Sequence, residues 1–372
     1  CKIRTASTVK KFWVLIAALL IPLTLSPAAN AVQEVVISEP THRLSDGVFF
    51  DDLLAIKLSP TGSLGILVYS NSKSVRSWLI DPATIEEILA MSNGYGVLDG
   101  ATPTGQQIAK DWLAQFERIS KGQRIYSLIY GNPSNYWVDQ LLKNELQTIK
   151  SGGKNALEQA LIRSTSESDA INGEKQPLSK SNINLIKYMQ RQINLLGTVV
   201  DKDELLSYQL RISQLLNPDI DKESISYLLK DFDKSITGMR NKLRVTKSKF
   251  TITSAKEELP ITLVNNFDTP VNLKLSIRAI NSKVVVSSVD KILLEPNSKQ
   301  QVLLPIEVLA SGESALLAQL TNLDNRPIGY PVNINLKLSV ISPVATWITS
   351  GAAVLLFLAA IVQSVRRVRR RK

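Results

Sequence analysis

From Val344 to Val362 the chain is an almost unbroken apolar run, and it ends in Arg366-Arg367-Val368-Arg369-Arg370-Arg371-Lys372. At about 1.5 Å per residue, some 20 helical residues span the roughly 30 Å hydrocarbon core of a bilayer. Inside that core no water can satisfy a bare backbone, so a single spanning segment must be a helix. A basic cluster beside a span stays on the cytoplasmic side. Arg366, Arg367, Arg369, Arg370, Arg371 and Lys372 are therefore the expected topology-setting residues, and membrane lipid is an expected partner. The expected layout is one transmembrane helix over 344–363, a basic cytoplasmic tail over 364–372, and the bulk of the chain extracellular at the cell membrane.

The other terminus agrees. Lys2, Arg4, Lys10 and Lys11 precede the apolar stretch Phe12–Leu25, and Ala29-Asn30-Ala31 follows as a small-x-small cleavage site. This is the pattern of a secretory signal peptide over 1–31, cut before Val32. Cys1 is the one cysteine and would leave with that peptide, so a disulfide framework and cysteine chemistry are both excluded from the exported part.

Charge removes a further class. The net charge is +11; subtracting the four basic residues of 1–31 and the six of 344–372, segments without acidic residues, leaves +1 for 32–343. The basicity sets topology and forms no phosphate-binding surface, so no nucleic-acid partner is expected. At about 310 residues the exported part is long enough for two or three domains with their own cores.

Residues 32–150 alternate between strand and helix signals. Ser63–Tyr69 and Val75–Ile80 are short apolar runs that predict strands. Asp81-Pro82 predicts a helix start, since Asp caps free N–H groups and Pro loses nothing in the first turn. A further helix is predicted from Thr104, a strand over Arg124–Tyr130, and a helix over Asn135–Ile149 after the Gly131-Asn132-Pro133-Ser134 turn. That order suggests a mostly parallel sheet, either open or a reduced barrel. Ser151-Gly152-Gly153 opens a stretch rich in Ser, Gly, Glu and Lys that predicts a linker over 151–180. Residues 181–245 carry three apolar stripes at helical spacing, with an Asp201/Glu204 capping-box pattern before the second and a start near Asp221 for the third.

After Lys249 the period changes from 3.6 to 2. Val271, Leu273, Leu275 and Ile277 alternate with polar residues, as do Val302–Val308 and Val332–Val340, with turn signals between them. About seven half-buried strands in about 95 residues predict an immunoglobulin-like sandwich over 246–342. The expected fold class is α+β and multidomain: an N-terminal α/β region, a helical segment, a C-terminal Ig-like β-sandwich and a single C-terminal transmembrane helix.

Chemical groups are sparse. His42 is the one histidine and reads as a surface or loop residue. A zinc site needs three or four ligands and a Ser-His-Asp hydrolase a nucleophile elbow, and neither pattern accompanies it. Gly94-Tyr95-Gly96 lacks the spacing of a dinucleotide loop. No cofactor and no metal are expected. Glycoside chemistry would need paired carboxylates, for which Asp51, Asp52, Asp81, Asp99, Glu86 and Glu87 are the candidates. Asp81 is the weak catalytic candidate, because it follows a predicted strand at the sheet edge where ligands collect; the helix cap is its preferred reading. Tyr130, Asn132 and Tyr136 stand at another strand end, as groove residues or as a turn with core aromatics.

Leu259-Pro260-Ile261-Thr262-Leu263-Val264-Asn265-Asn266, Pro270-Val271-Asn272-Leu273, the Glu295-Pro296-Asn297-Ser298 turn and the final apolar helix with its arginines resemble an uncharacterised family of actinobacterial cell-envelope proteins. Trp78-Leu79-Ile80-Asp81-Pro82 and Tyr130-Gly131-Asn132-Pro133 are similar to strand-end motifs of that family's outer region, so the resemblance covers most of 64–372. It implies a signal peptide, an outer α/β region, an Ig-like domain and one membrane helix. The family's genes often lie beside that of the lipid II flippase, which implies a role in peptidoglycan assembly with no established reaction. A full barrel needs about 250 residues and this chain offers about half of that before residue 150. The expected function is a non-enzymatic, membrane-anchored cell-envelope protein whose outer domains bind a protein or a cell-wall precursor. The alternative is a glycan-active envelope enzyme, hydrolase or deacetylase-like, using Asp81 and a second carboxylate; a third reading is a simple spacer.

Overall fold

The computed structural model describes residues 33–70, 76–100, 102–168, 170, 172–175, 177–339 and 343–369. The expected signal peptide over 1–31, the strand residue Val340 and the tail residues Arg370, Arg371 and Lys372 lie outside the described residues. The protein mixes helices and strands.

The first region is a parallel sheet. Strands β1 (Gln33–Ile37), β2 (Arg76–Ile80), β3 (Arg124–Ser127) and β4 (Ser166–Glu167) are hydrogen-bonded in chain order. Sequential order is that of neighbouring strands in a barrel; a doubly wound sheet reverses at a switch point. Between the strands run α1 (Leu53–Leu58), α2 (Ser63–Tyr69), α3 (Pro82–Ser92), α4 (Gln106–Ser120), the one-turn α5 (Asn135–Trp137) and α6 (Leu146–Leu161). Val35, Ile37, Trp78, Ile80 and Ile125 share one sheet face and pack against Ile85, Ile88, Trp112, Phe116 and Leu157 of the helices.

Three expectations change here. Ser63–Tyr69 is the helix α2 and not a strand. Seven apolar residues carry too few repeats to separate the two periods. Leu64 and Val68, four apart, are buried while Ile66 between them is 53% exposed. A Cβ on Gly65 would stand 1.7 Å from the Ser59 carbonyl oxygen, so the α1–α2 corner closes on bare backbone. The helix expected over Asn135–Ile149 is divided, since α5 widens into a π turn at Val138–Leu142 before α6 begins. Nor does a linker open at Ser151-Gly152-Gly153. These residues are inside α6, where a Cβ on Gly152 would meet Leu206 at 2.8 Å and one on Gly153 would meet Tyr130 at 3.0 Å. Here the glycines serve close helix packing. The chain then returns to the sheet as β4, and the Asn135 N–H donates to the Asn172 carbonyl at 2.8 Å.

Helices α7 (Lys180–Leu196), α8 (Asp203–Gln214) and α9 (Lys222–Asn241) follow at the expected places. Asp221 caps α9 through the Glu223 and Ser224 N–H groups. Asp201 accepts from the Asp203 N–H at 3.0 Å, but α8 is preceded by Lys202 as its N-cap without a side-chain cap bond, so the expected capping box is not what starts it.

The chain then forms nine strands: β5 (Leu243–Val245), β6 (Lys249–Ile252), β7 (Lys256–Asn265), β8 (Val271–Ala279), β9 (Val284–Val286), β10 (Val289–Leu294), β11 (Ser298–Val308), β12 (Gly312–Thr321) and β13 (Pro327–Leu338). They build two sheets, ordered β10-β8-β12-β13-β6 and β5-β7-β11-β9. All pairs are antiparallel except β13 with β6. Val271, Leu273, Leu275 and Ile277 are buried, as the alternation predicts, and so are Ile334, Leu336 and Leu338. The start at residue 246 shifts, because β5 already pairs with β7. Ile186, Ile193, Phe232 and Ile236 of the helices and Ile261, Leu304 and Leu320 of the strands belong to one continuous apolar core.

Helix α10 (Pro343–Arg369) closes the described chain. Trp347–Ser364 has a mean hydropathy of 1.8 and none of its residues is buried, so it is long and apolar enough to cross a membrane. Arg366 and Arg367 are exposed and Arg369 is its last residue.

Candidate functional site

The C-terminal ends of β1, β2 and β3 are joined by polar side chains. Asp81 directly follows β2 and caps α3, its Oδ1 accepting from the Ala83 N–H at 3.0 Å. The same oxygen accepts from the Gly131 N–H beyond β3 at 2.7 Å, and Oδ2 accepts from the Thr84 hydroxyl at 3.0 Å. The Thr84 hydroxyl oxygen in turn accepts from the Glu39 N–H beyond β1 at 2.9 Å. Asp81 is fully buried and ties three strand ends together. Burial pushes its carboxyl up to about 7, against the three hydrogen bonds, with the charge of Glu87 adding to the rise.

Gly131 explains how α8 reaches these ends. Its φ is +77°, which favours glycine, and a Cβ there would lie 2.2 Å from the Gln214 Cα. Backbone therefore packs on backbone, fixed by Asn217 Nδ2 donating to the Gly131 carbonyl at 2.9 Å and Ser213 Oγ to the Tyr130 carbonyl at 2.6 Å. Asn132, also at positive φ, donates from Nδ2 to Ser38 Oγ at 3.0 Å.

Beside this tie lies a second cluster. Glu87 Oε1 accepts from the Thr41 hydroxyl at 2.5 Å and from Gln214 Nε2 at 2.8 Å, and Oε2 accepts from the His42 N–H at 2.9 Å. Arg211, on α8, donates from Nη1 to Thr41 Oγ1 at 3.0 Å and to Gln214 Oε1 at 2.6 Å, and from Nη2 to the Arg43 carbonyl at 2.6 Å. Glu86 accepts from the Tyr130 hydroxyl. Burial raises both the Glu86 carboxyl and, to a greater degree, the Tyr130 hydroxyl, and it lowers the Arg211 guanidinium. A cavity of about 290 Å³ opens among Arg43, Glu86, Glu87, Tyr130, Tyr208, Arg211 and Gln214. A small cavity with convergent polar groups of shifted proton affinity is the physical profile of a ligand site.

The residues singled out in the sequence fall in different places. Asp81, Glu86, Glu87, Tyr130 and Asn132 are brought to the strand ends. Asp52 is held by Thr104 and by the Tyr95 hydroxyl, away from the cavity lining. Tyr136 is 40% exposed beside Trp137, with Lys175 Nζ 4.3 Å from its ring centre. The Asp99 side chain lies outside the described residues. His42 is corrected: it is 6% exposed and not a surface residue. Its Nδ1 lies 2.7 Å from Asp51 and its Nε2 lies 3.7 Å from Glu39. Burial pulls its pKa down, but the hydrogen bonds and charges of Asp51, Glu39 and Glu87 more than reverse this, to about 9. The sequence reading missed Thr41, Arg43, Arg211 and Gln214. One signal was present, since Arg211 stands three residues after Tyr208 and four before Leu215, on the apolar stripe of its helix. Among the described residues no three His, Cys, Asp or Glu side chains converge to hold a metal.

Residues 140–371 match the family described as Family of unknown function (DUF6049). The chain belongs to this family. The match takes in α8, with Tyr208, Arg211 and Gln214, while Asp81, Glu86, Glu87 and Tyr130 precede it. No curated protein matches the chain. Among solved structures, WR4, a C. elegans MSP family member, is 9% identical over 26% of this chain and 97% of its own, with a TM-score of 0.21. PapD-like domain 7 of human CEP192 is 19% identical over 27% of this chain and 85% of its own, with a TM-score of 0.20. Native alpha-2-macroglobulin from Escherichia coli is 14% identical over 26% of this chain and 16% of its own, with a TM-score of 0.21. At these scores the likenesses carry no argument, and the sandwich rests on its own strand order.

Proposed function

We propose that the protein is a non-enzymatic, single-pass cell-envelope protein. Residues 33–339 stand outside the cell membrane, the arginine-rich tail stays inside, and the outer part binds a protein or a cell-wall precursor in peptidoglycan assembly. One observation carries the reading. The last sandwich strand ends at Leu338 and the apolar helix begins at Pro343, so a four-residue connection separates a folded body from its anchor. At about 3.5 Å per residue such a connection reaches less than about 20 Å, which holds the sandwich close to the bilayer surface, within reach of a membrane-bound partner. The use of Asp81 as a structural tie through three hydrogen bonds also supports binding over catalysis. Crosslinking in intact cells, followed by recovery of the full chain from detergent-solubilised membranes, tests the proposal. Capture of a wall-synthesis protein or precursor is the expected result, and recovery of the chain alone would contradict it.

A second reading, a glycan-active hydrolase or deacetylase-like enzyme, has one observation in its favour. The Asp81 carboxyl, raised to about 7, is matched to general-acid work near neutral pH. Against it stand complete burial and the engagement of both oxygens. Turnover of a glycan by the wild-type chain and its loss in Asp81→Asn, with the fold retained, would favour the enzyme.

A further inference from the structure

The cavity between the strand ends and α8 holds two arginines that feel the charges of Glu86, Glu87 and Asp231 but form no direct ion pair with them among the described residues. Arg43 and Arg211 both line it, and among the described residues neither guanidinium has a carboxylate oxygen within 4.0 Å. The nitrogens of Arg211 that are engaged donate to neutral acceptors, and its buried Nε has no hydrogen-bond partner. Arg43 donates from Nε to the Gly47 carbonyl at 3.3 Å and rests over the Phe49 ring, its centre 5.8 Å away. A buried arginine keeps its proton, and Glu87 and Asp231 answer the Arg211 charge only at a distance, which leaves guanidinium N–H groups without a direct anionic acceptor. The planar guanidinium fork fits a carboxylate or a phosphate.

The other lining residues choose between these. Glu86 and Glu87 bring two negative charges to the same wall, which penalises a dianion and tolerates a monoanion. Glu86 accepts from Tyr130 through Oε2, so its Oε1 remains to take a hydroxyl or ammonium hydrogen from a ligand. The volume sets the size. At about 30 Å³ per water molecule, a cavity of about 290 Å³ holds an amino acid or one sugar ring.

We propose that this cavity binds a small monocarboxylate carrying an amino or hydroxyl group, its carboxylate facing Arg43 and Arg211 and its donor facing Glu86. The assignment deepens the binding function proposed above and rests on it, by giving the ligand a chemical class. The carboxylate could belong to an amino acid or to an acidic sugar, and the probes separate these sources.

The test is calorimetric titration of the full chain in detergent with glycine, D-alanine, L-alanine, glucuronate, glucose and inorganic phosphate. Binding of at least one carboxylate is expected, with glucose silent; the amino acids or glucuronate then identify the source. Arg43→Gln should weaken that binding at least tenfold with a melting temperature within a few degrees of wild type, because among the described residues its guanidinium makes one long hydrogen bond and one ring contact. Arg211→Gln should weaken it further, although its internal bonds can also cost stability. Failure of every carboxylate to bind the folded chain, binding of phosphate in preference to carboxylates, or an Arg43→Gln variant with wild-type affinity would each overturn the proposal. If carboxylates fail to bind while crosslinking still captures a wall-synthesis partner, the ligand assignment falls and the envelope role stands.

Discussion

In the sandwich, Val271, Leu273, Leu275 and Ile277 enter the core one after another, and neighbouring strands repeat the device. At the ends of β1, β2 and β3 the joining of segments distant in sequence is left to Asp81, Thr84, Gly131 and Gln214. The first region distributes its stability over many apolar contacts of similar kind. The second concentrates it in a few buried polar groups, each costly to leave without its partner. Such a network is also directional, and it leaves room for a cavity that close-packed apolar side chains would fill.

Substitution tests the contrast. The largest effect is expected from Asp81→Ala, which removes a helix cap and leaves the Ala83 and Gly131 N–H groups without an acceptor; loss of about 3–5 kcal/mol in urea unfolding is expected. Asp81→Asn keeps an acceptor and should cost under about 1 kcal/mol near neutral pH. The pH dependence follows from the raised carboxyl. The folded state holds this proton more tightly than the unfolded state, so the group's contribution is fullest below its ordinary value of 3.8 and is lost as pH rises towards 7. The Asn variant should lack that decline. If Asp81→Ala and Asp81→Asn cost the same, the polar tie is not what holds the strand ends.

In the sandwich Leu275→Ala should cost about 3 kcal/mol through its cavity, with no comparable rescue by any polar replacement. His42 gives an intermediate effect. Its pKa is raised from 6.5 to about 9 in the fold, so its contribution is complete below 6.5 and lost as pH rises to about 9. A decline on the order of 1–3 kcal/mol is expected over that window, and His42→Gln should flatten it. The smallest effect is expected at Ser276, exposed between Leu275 and Ile277, where Ala should change stability by less than about 0.5 kcal/mol.

The same contrast governs what could be read from the sequence. Period-2 alternation over nine or more residues is self-correcting, and the strands around Val271–Ile277, Leu304–Val308 and Val332–Leu338 lie where it puts them. Ser63–Tyr69 is too short for either period to assert itself, and the contact that decides it is the approach of Gly65 to Ser59, a property of the folded corner. Ser151-Gly152-Gly153 has linker composition, yet its glycines are there because Leu206 and Tyr130 come close. Asp81 was visible because a cap is local. Its link to Gly131 spans fifty residues, and the approach of Arg211 to Thr41 spans 170. No short-range pattern carries either, so the cavity they frame was not legible. Burial of His42 was hidden in a similar way, since the Glu87 carboxylate that accepts its N–H comes from 45 residues further along the chain.

The whole account depends on which side of the membrane holds the folded body. Protease added to intact cells expressing the chain with a C-terminal tag measures this directly. The account predicts that residues 33–339 are digested while a tagged fragment containing α10 and the basic tail stays protected until lysis. Survival of the intact body in whole cells, with digestion only after lysis, would contradict it.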